Sequence, residues 1–221
     1  MPYEVKQKYI TSTNRPKKAL APQGIVIHST ATPGAPAINI RDYFANHPEA
    51  KASAHAAIDW TTIIEIIPAN EKAWHAGPTA NNTFLGIELC EPKEHDPAKF
   101  AEVWNRAVWY AAKACKQFGW DPSKIYSHDE ISKMFHETNH TDPTAFFAGY
   151  GKVWGDFKLA VMKELKGEDK VTVDEALKIL AQHEVMGNPE YWKQAAGVVK
   201  YLDNLLINMA SKLKEGKYNE V

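Results

Sequence analysis

"GIVIHSTATPG", residues 24–34, is the stretch on which the fold turns. Ile25, Val26 and Ile27 are apolar and β-branched, bounded by Gly24 before and Pro33-Gly34 after, which is the composition of a short buried strand. His28 follows immediately. An imidazole at the end of a buried strand is either a core histidine with its hydrogen bonds met or a metal ligand at the carboxyl edge of a sheet, where open sheets place their sites. One residue does not separate these readings.

Outward from that stretch, further strands are expected over 54–60, 63–67 and 85–90, with a short fifth over 124–127. "INIRDYFANH", after Pro36, predicts the first helix. A clearer helix opens at Asp96-Pro97, an N-cap followed by proline at the first helical position. Phe100, Val103, Trp104, Ala107, Val108, Ala111, Cys115 and Phe118 then recur at the helical period until Gly119 closes it. Another helix is expected from Phe146 to Leu165. Strands interleaved with helices predict an α/β domain with a central mixed sheet flanked by helices.

The composition shifts at "KGEDKVT", residues 166–172, which divides the chain into a domain over 1–166 and a small all-helical domain over 167–221. In the second part Thr172 and Glu175 read as a capping box opening "VDEALKILAQHEV". Asn188-Pro189 starts a second helix and "YLDNLLINMASKL" supplies a third.

With 221 residues, 44% apolar and 24% charged, the chain can bury a substantial core and is not of disordered composition. A formal charge of −1 supplies no basic field for nucleic acid or anionic lipid. No stretch reaches the ~18 apolar residues of a membrane span, so no membrane insertion is expected. "MPYEVKQKYI" lacks the apolar run of a secretory leader, so synthesis in the cytoplasm is expected. Cys90 and Cys115 have no metal or redox spacing, and no disulfide framework is expected.

Nine histidines are more informative. His28 ends the first strand, and His128 in "IYSHDE" again follows a short apolar stretch. His140 and Asp142 stand two apart in "NHTDPTAFF", before Pro143. Zinc takes neutral imidazole nitrogen and carboxylate oxygen, and a catalytic site keeps three protein ligands plus water. His28, His128 and Asp142 supply that number and those types. His140, two residues from Asp142 and pointing the same way on an extended segment, would support a ligand or meet the transition state. Glu88 lies inside the apolar "LGIELCE". Period two puts Gly86, Glu88 and Cys90 on one face, so Glu88 either meets solvent there or is held for catalysis.

These segments carry a resemblance. "VIHSTATPG", "SAHAAID", "AWHAG", "GIELCEP" and "SHDEIS…NHTDPTAFF" resemble, in order and over roughly residues 20–155, the zinc-dependent N-acetylmuramoyl-L-alanine amidase type 2 family. That family includes phage endolysins and shares its fold with peptidoglycan recognition proteins. The resemblance implies cleavage of the amide between N-acetylmuramic acid and the L-alanine of the stem peptide. It implies Zn2+ on His28, His128 and Asp142, and Glu88 as the catalytic base. His140 stands where many members carry a lysine, and its implied role is to stabilise the oxyanion. "AWHAG" implies that Trp74 and His75 line the substrate, with a Trp buried under a loop as the plainer alternative. His55 in "SAHAAID" either faces the groove or belongs to the core. His47, His95, His136 and His183 read as surface residues, His136 being the alternative ligand.

The expected partner is bacterial peptidoglycan, reached after release from the cytoplasm in the manner of an endolysin. A cytoplasmic muropeptide-recycling amidase and a non-catalytic peptidoglycan-binding protein of the same fold are the rival readings. The C-terminal helices suit wall targeting or dimerisation.

Overall fold

The structure is a computed structural model and describes residues 3–167, 173–182, 185, 188–196, 206, 207, 209 and 210. Among them one six-stranded sheet forms from β1 (Val5–Gln7), β2 (Ile25–Ser29), β3 (Ala56–Ile58), β4 (Ile63–Glu65), β5 (Leu85–Leu89) and β6 (Ile125–Ser127), in the spatial order β1-β4-β3-β5-β2-β6. Only β3 and β4 pair antiparallel; all other neighbours are parallel, so the sheet is mixed. The helices are α1 (Ala37–Asn46), α2 (Pro78–Asn81), α3 (Pro97–Phe118), α4 (His128–Phe135), α5 (Thr144–Ala148), α6 (Trp154–Lys166), α7 (Val173–Gln182) and α8 (Pro189–Ala196).

The alternation of β2 divides the core. Ile25 and Ile27, with Ile87 and Leu89 of β5, face Phe100, Val103, Ala107 and Ala111 of α3 and Phe157 and Val161 of α6. Phe157 is fully buried there, and truncating such a ring to alanine typically costs about 3–5 kcal/mol. Val26 turns the other way, against Ala76, Ala80, Phe84 and Ile131. Along the same outer face, Ala37, Ile40 and Phe44 of α1 cover Ala57 and Ile64.

Helix α3 begins as its sequence predicts: the Asp96 carboxylate accepts from the backbone N–H of Ala98 and Lys99, and Gly119 ends it at φ 71°. The single helix expected over 146–165 is instead two. Gly151 takes φ 68°, which folds the chain back after α5, and the Asp156 carboxylate accepts from Val153 N–H to open α6. Two glycines within three residues weaken a helix by about 1 kcal/mol each, and the left-handed turn is open to them. Strand β1 and helices α2 and α4 have no counterpart in the sequence reading; each is short, and β1 is an edge strand with largely exposed residues.

The chain divides into two compact units, Met1–Lys166 and Gly167–Val221. In the second, α7 and α8 are joined by helical Leu206, Ile207, Met209 and Ala210, and Leu177, Leu180, Leu206 and Ala210 form its buried cluster. Thr172, the expected N-cap, and His183 lie outside the described residues. No helix among the described residues is long and apolar enough to cross a membrane.

Candidate metal and catalytic site

β2 and β5 lie side by side in the parallel register His28↔Glu88, with Val26↔Gly86 two residues earlier. Both pairs therefore share the face opposite α3, at the carboxyl end of the sheet. His128 arrives from β6, the neighbour of β2 on its other side, as the first residue of α4. Its position is set by a capping box: Ser127 Oγ accepts from Glu130 N–H and the Glu130 carboxylate accepts from Ser127 N–H. Asp142 enters from the segment before α5. Its carbonyl accepts from Asp129 N–H at 3.3 Å and its Oδ2 from Ser29 N–H at 3.2 Å.

The three side chains converge. His28 Nδ1 is 3.0 Å from His128 Nδ1 and 3.2 Å from Asp142 Oδ2, and His128 Nδ1 is 3.1 Å from Asp142 Oδ1. With Zn–N and Zn–O bonds of about 2.0–2.2 Å, the edge of a tetrahedron is roughly 3.3–3.6 Å, close to these spacings. The group can hold a metal ion. His136, the alternative ligand, is exposed at the C-terminus of α4 and stands outside this group.

The outward nitrogens of both histidines are tied down. His28 Nε2 meets His75 Nδ1 at 3.1 Å, and His75 Nε2 donates to the Phe84 carbonyl at 3.1 Å. His128 Nε2 meets Thr138 Oγ1 at 3.1 Å, Thr138 Oγ1 meets Ser132 Oγ at 2.7 Å, and Ser132 donates to the His140 carbonyl at 2.9 Å. Each chain ends on a carbonyl, which only accepts. The protons therefore run outward, and each Nδ1 is left to present a lone pair to the centre.

Electrostatics follow from burial. It lowers the His28 pKa, although Asp142 pulls the other way, and so favours the neutral, ligating form. Burial alone would raise the Asp142 carboxyl, but the two imidazoles against it, His128 and His28, outweigh burial and hold the group well below the usual carboxylate range. Glu88 is pushed up to about 8 by burial first and then by the negative charges of Asp142 and Glu91. A divalent cation beside it would reverse that push. Glu88 Oε2 is buried without a hydrogen-bond partner, as is Thr30 Oγ1. Both residues line one cavity of about 660 Å³ with His28, His75, His128, His140 and Asp142. Its far wall is α1, through Asn39, Ile40 and Tyr43.

The sequence-predicted residues divide as follows. His28, His128, Asp142, Glu88, His140 and His75 meet in this cavity. His140 stands at its mouth, 64% exposed, stacked on His128 at 4.7 Å with its Nδ1 3.7 Å from Asp142 Oδ1. Trp74 and His55 do not line it. Trp74 borders a separate cleft with Pro16, Lys18 and Lys72. His55 is buried immediately before β3, where its Nε2 donates to the Glu71 carbonyl and its Nδ1 accepts from Gly86 N–H. The sequence reading passed over Thr138 and Ser132. Ser132 lies four residues after His128, the spacing that puts two side chains on one helical face, and that was the available signal.

Residues 18–145 match the family model described as N-acetylmuramoyl-L-alanine amidase. Protein Ami of Listeria monocytogenes is 30% identical over 168 residues, 71% of this chain and 18% of its own length. A probable N-acetylmuramoyl-L-alanine amidase of Bacillus licheniformis is 35% identical over 150 residues, 62% of this chain and 40% of its own. The chain thus spans less than half the length of these curated relatives. Among solved structures, a mutant endolysin from Bacillus subtilis superposes with a TM-score of 0.57 at 27% identity, covering 72% of this chain and 99% of that one. With more than half of its residues inside the family model, and with the ligand-type side chains gathered at one sheet edge, the chain belongs to the N-acetylmuramoyl-L-alanine amidase family.

Proposed function

We propose that this chain is a zinc-dependent peptidoglycan hydrolase of the endolysin type, cleaving the amide between N-acetylmuramic acid and the L-alanine of the stem peptide. The observation that carries the reading is the convergence of His28, His128 and Asp142 beside the unpartnered carboxylate oxygen of Glu88. Two imidazoles and one carboxylate are the donor set of a catalytic zinc site, with room for water. When bound there, zinc supplies a Lewis acid that polarises a carbonyl and brings the pKa of a water toward about 7.

The remaining work falls to side chains. Glu88, which a cation held beside it would keep ionised, would accept a proton from the attacking water and return it to the leaving L-alanine nitrogen. His140, exposed at the mouth of the cavity, donates a hydrogen bond to the oxygen that gains charge. Family membership and the likeness to an endolysin structure support the substrate class. The endolysin reading has the enzyme made in the cytoplasm and acting on the wall after release. The 167–221 unit is the part that would add wall targeting or dimerisation.

Digestion of purified cell walls tests this. Newly exposed N-terminal L-alanine with no new reducing sugar is expected. New reducing ends would make the enzyme a glycosidase, and wall binding without any new terminus would make it a binding protein of the same fold. Cleavage confined to soluble muropeptides would favour a recycling amidase.

A further inference from the structure

Two histidines that hold one ion through the same nitrogen must both be in the tautomer that leaves that nitrogen bare. Around His28 the choice is made through His75, by the Phe84 carbonyl. The Phe84 carbonyl has no proton to give, so His75 Nε2, 3.1 Å from it, carries one. With Nε2 carrying the single proton of a neutral ring, His75 Nδ1 is an acceptor. That atom lies 3.1 Å from His28 Nε2, which donates to it.

The seat of the His75 ring is built into the sheet. A Cβ at Gly86 of β5 would stand 2.5 Å from His75 Cγ and 2.7 Å from its Nδ1. Contacts that short do not occur, so only glycine at this position lets the ring come close enough to β5 to reach His28. Gly86 is also the register partner of Val26, two residues before His28, which fixes the distance between the two rings.

We infer that His75 is a positioning residue for the metal site: it accepts the Nε2 proton of His28 and so keeps His28 Nδ1 bare and aimed at His128 and Asp142. The inference builds on the ligand set proposed above. Without the His75 acceptor, His28 is free to move its proton to Nδ1 and donate it to Asp142 Oδ2 at 3.2 Å, a tautomer that closes the site to a cation. Loss of such outer hydrogen-bond partners typically weakens metal binding by roughly 10–100-fold.

The test uses the full chain with 15N-labelled histidine. NMR of the metal-free protein reads the His28 tautomer, and competition with a chromophoric chelator reads zinc affinity. In the wild type His28 is expected to be protonated at Nε2; protonation at Nδ1 there overturns the inference without any variant. His75→Phe keeps a ring and removes the acceptor, and should shift His28 to Nδ1–H and lower zinc affinity by roughly 10–100-fold. His75→Asn returns an acceptor oxygen near the place of Nδ1 and should restore the wild-type tautomer and most of the affinity, which mere packing by an imidazole would not predict. Unchanged tautomer and affinity in His75→Phe overturn the inference. A wild type that keeps Nε2–H on His28 but binds no zinc instead overturns the ligand assignment and leaves the His75–His28 link standing.

Discussion

His28 and Glu88 are register partners on adjacent parallel strands, and their side chains rise from the same face of the sheet. A ligand-type imidazole and a carboxylate with one unpartnered oxygen are thus held apart by the strand spacing, about 4.8 Å, and not by loops that can drift. The opposite faces of both strands are pinned by Ile25, Ile27, Ile87 and Leu89 in the core. Rigid backbone beneath and open cavity above would let the two act on one water, as the proposed function requires.

Glu88→Gln separates base from ligand. The amide keeps the shape and cannot take the proton, so zinc content and fold should be retained while turnover drops by about 10²–10⁴-fold. Turnover and metal content measured side by side decide it. Loss of zinc would make Glu88 a ligand, and turnover near wild type would make it a strand carboxylate only.

Asp142→Asn removes the charge that faces both imidazoles while leaving a group that can still accept from Ser29 N–H. Metal analysis of the purified variant should show strongly reduced zinc, with activity falling in parallel. Full occupancy would move the third ligand to another residue, with His140 the nearest substitute.

His140→Ala should leave zinc in place and reduce the rate by about 10²-fold, the typical effect of losing one oxyanion donor. The ring stacks on His128 and is mostly exposed, so little stability should be lost. Thermal melts and turnover on the same preparation test this; a variant that loses zinc but not stability would recast His140 as a ligand.

Acid should destabilise the fold through His55. Burial holds its pKa at about 4 in the folded chain, against about 6.5 when unfolded. Between those values the unfolded chain binds the extra proton. The stabilising contribution is therefore complete above about pH 6.5 and lost as the pH falls toward 4, by about 3 kcal/mol. Denaturant melts of the wild type and His55→Gln across that range should show it as the difference between the two profiles, since Glu88, whose raised pKa acts in the opposite sense, contributes to both. An equal slope in the variant would assign the loss to His28 and His75, whose pKa values are also lowered by burial.

A chain ending at Lys166 should fold and cleave soluble muropeptides at the full-length rate, since every residue of the cavity precedes that point. Pelleting with whole walls compares the two forms. Equal binding would remove a targeting role from the 167–221 unit.

How far the sequence reached is visible in particular residues. The run Ile25–Ile27, the Asp96 cap, the Gly119 stop and the period-two face of Glu88 are local signals. Backbone propensity and side-chain alternation act within a few residues, so β2, β5 and α3 could be read directly. His28, His128 and Asp142 could be named as ligand types from their chemistry and from the family resemblance. Their meeting could not be read from spacing, because it depends on β2 lying between β5 and β6, a pairing between segments 60 and 100 residues apart. The same holds for what surrounds them. Only the packed sheet decides that Trp74 turns away while His75 turns in, that Gly86 makes the space His75 occupies, and that both histidine relays end on carbonyls. Composition and periodicity determine which faces are buried; which residues touch across the sheet is set by strand order and register, which exist only once the chain has closed on itself.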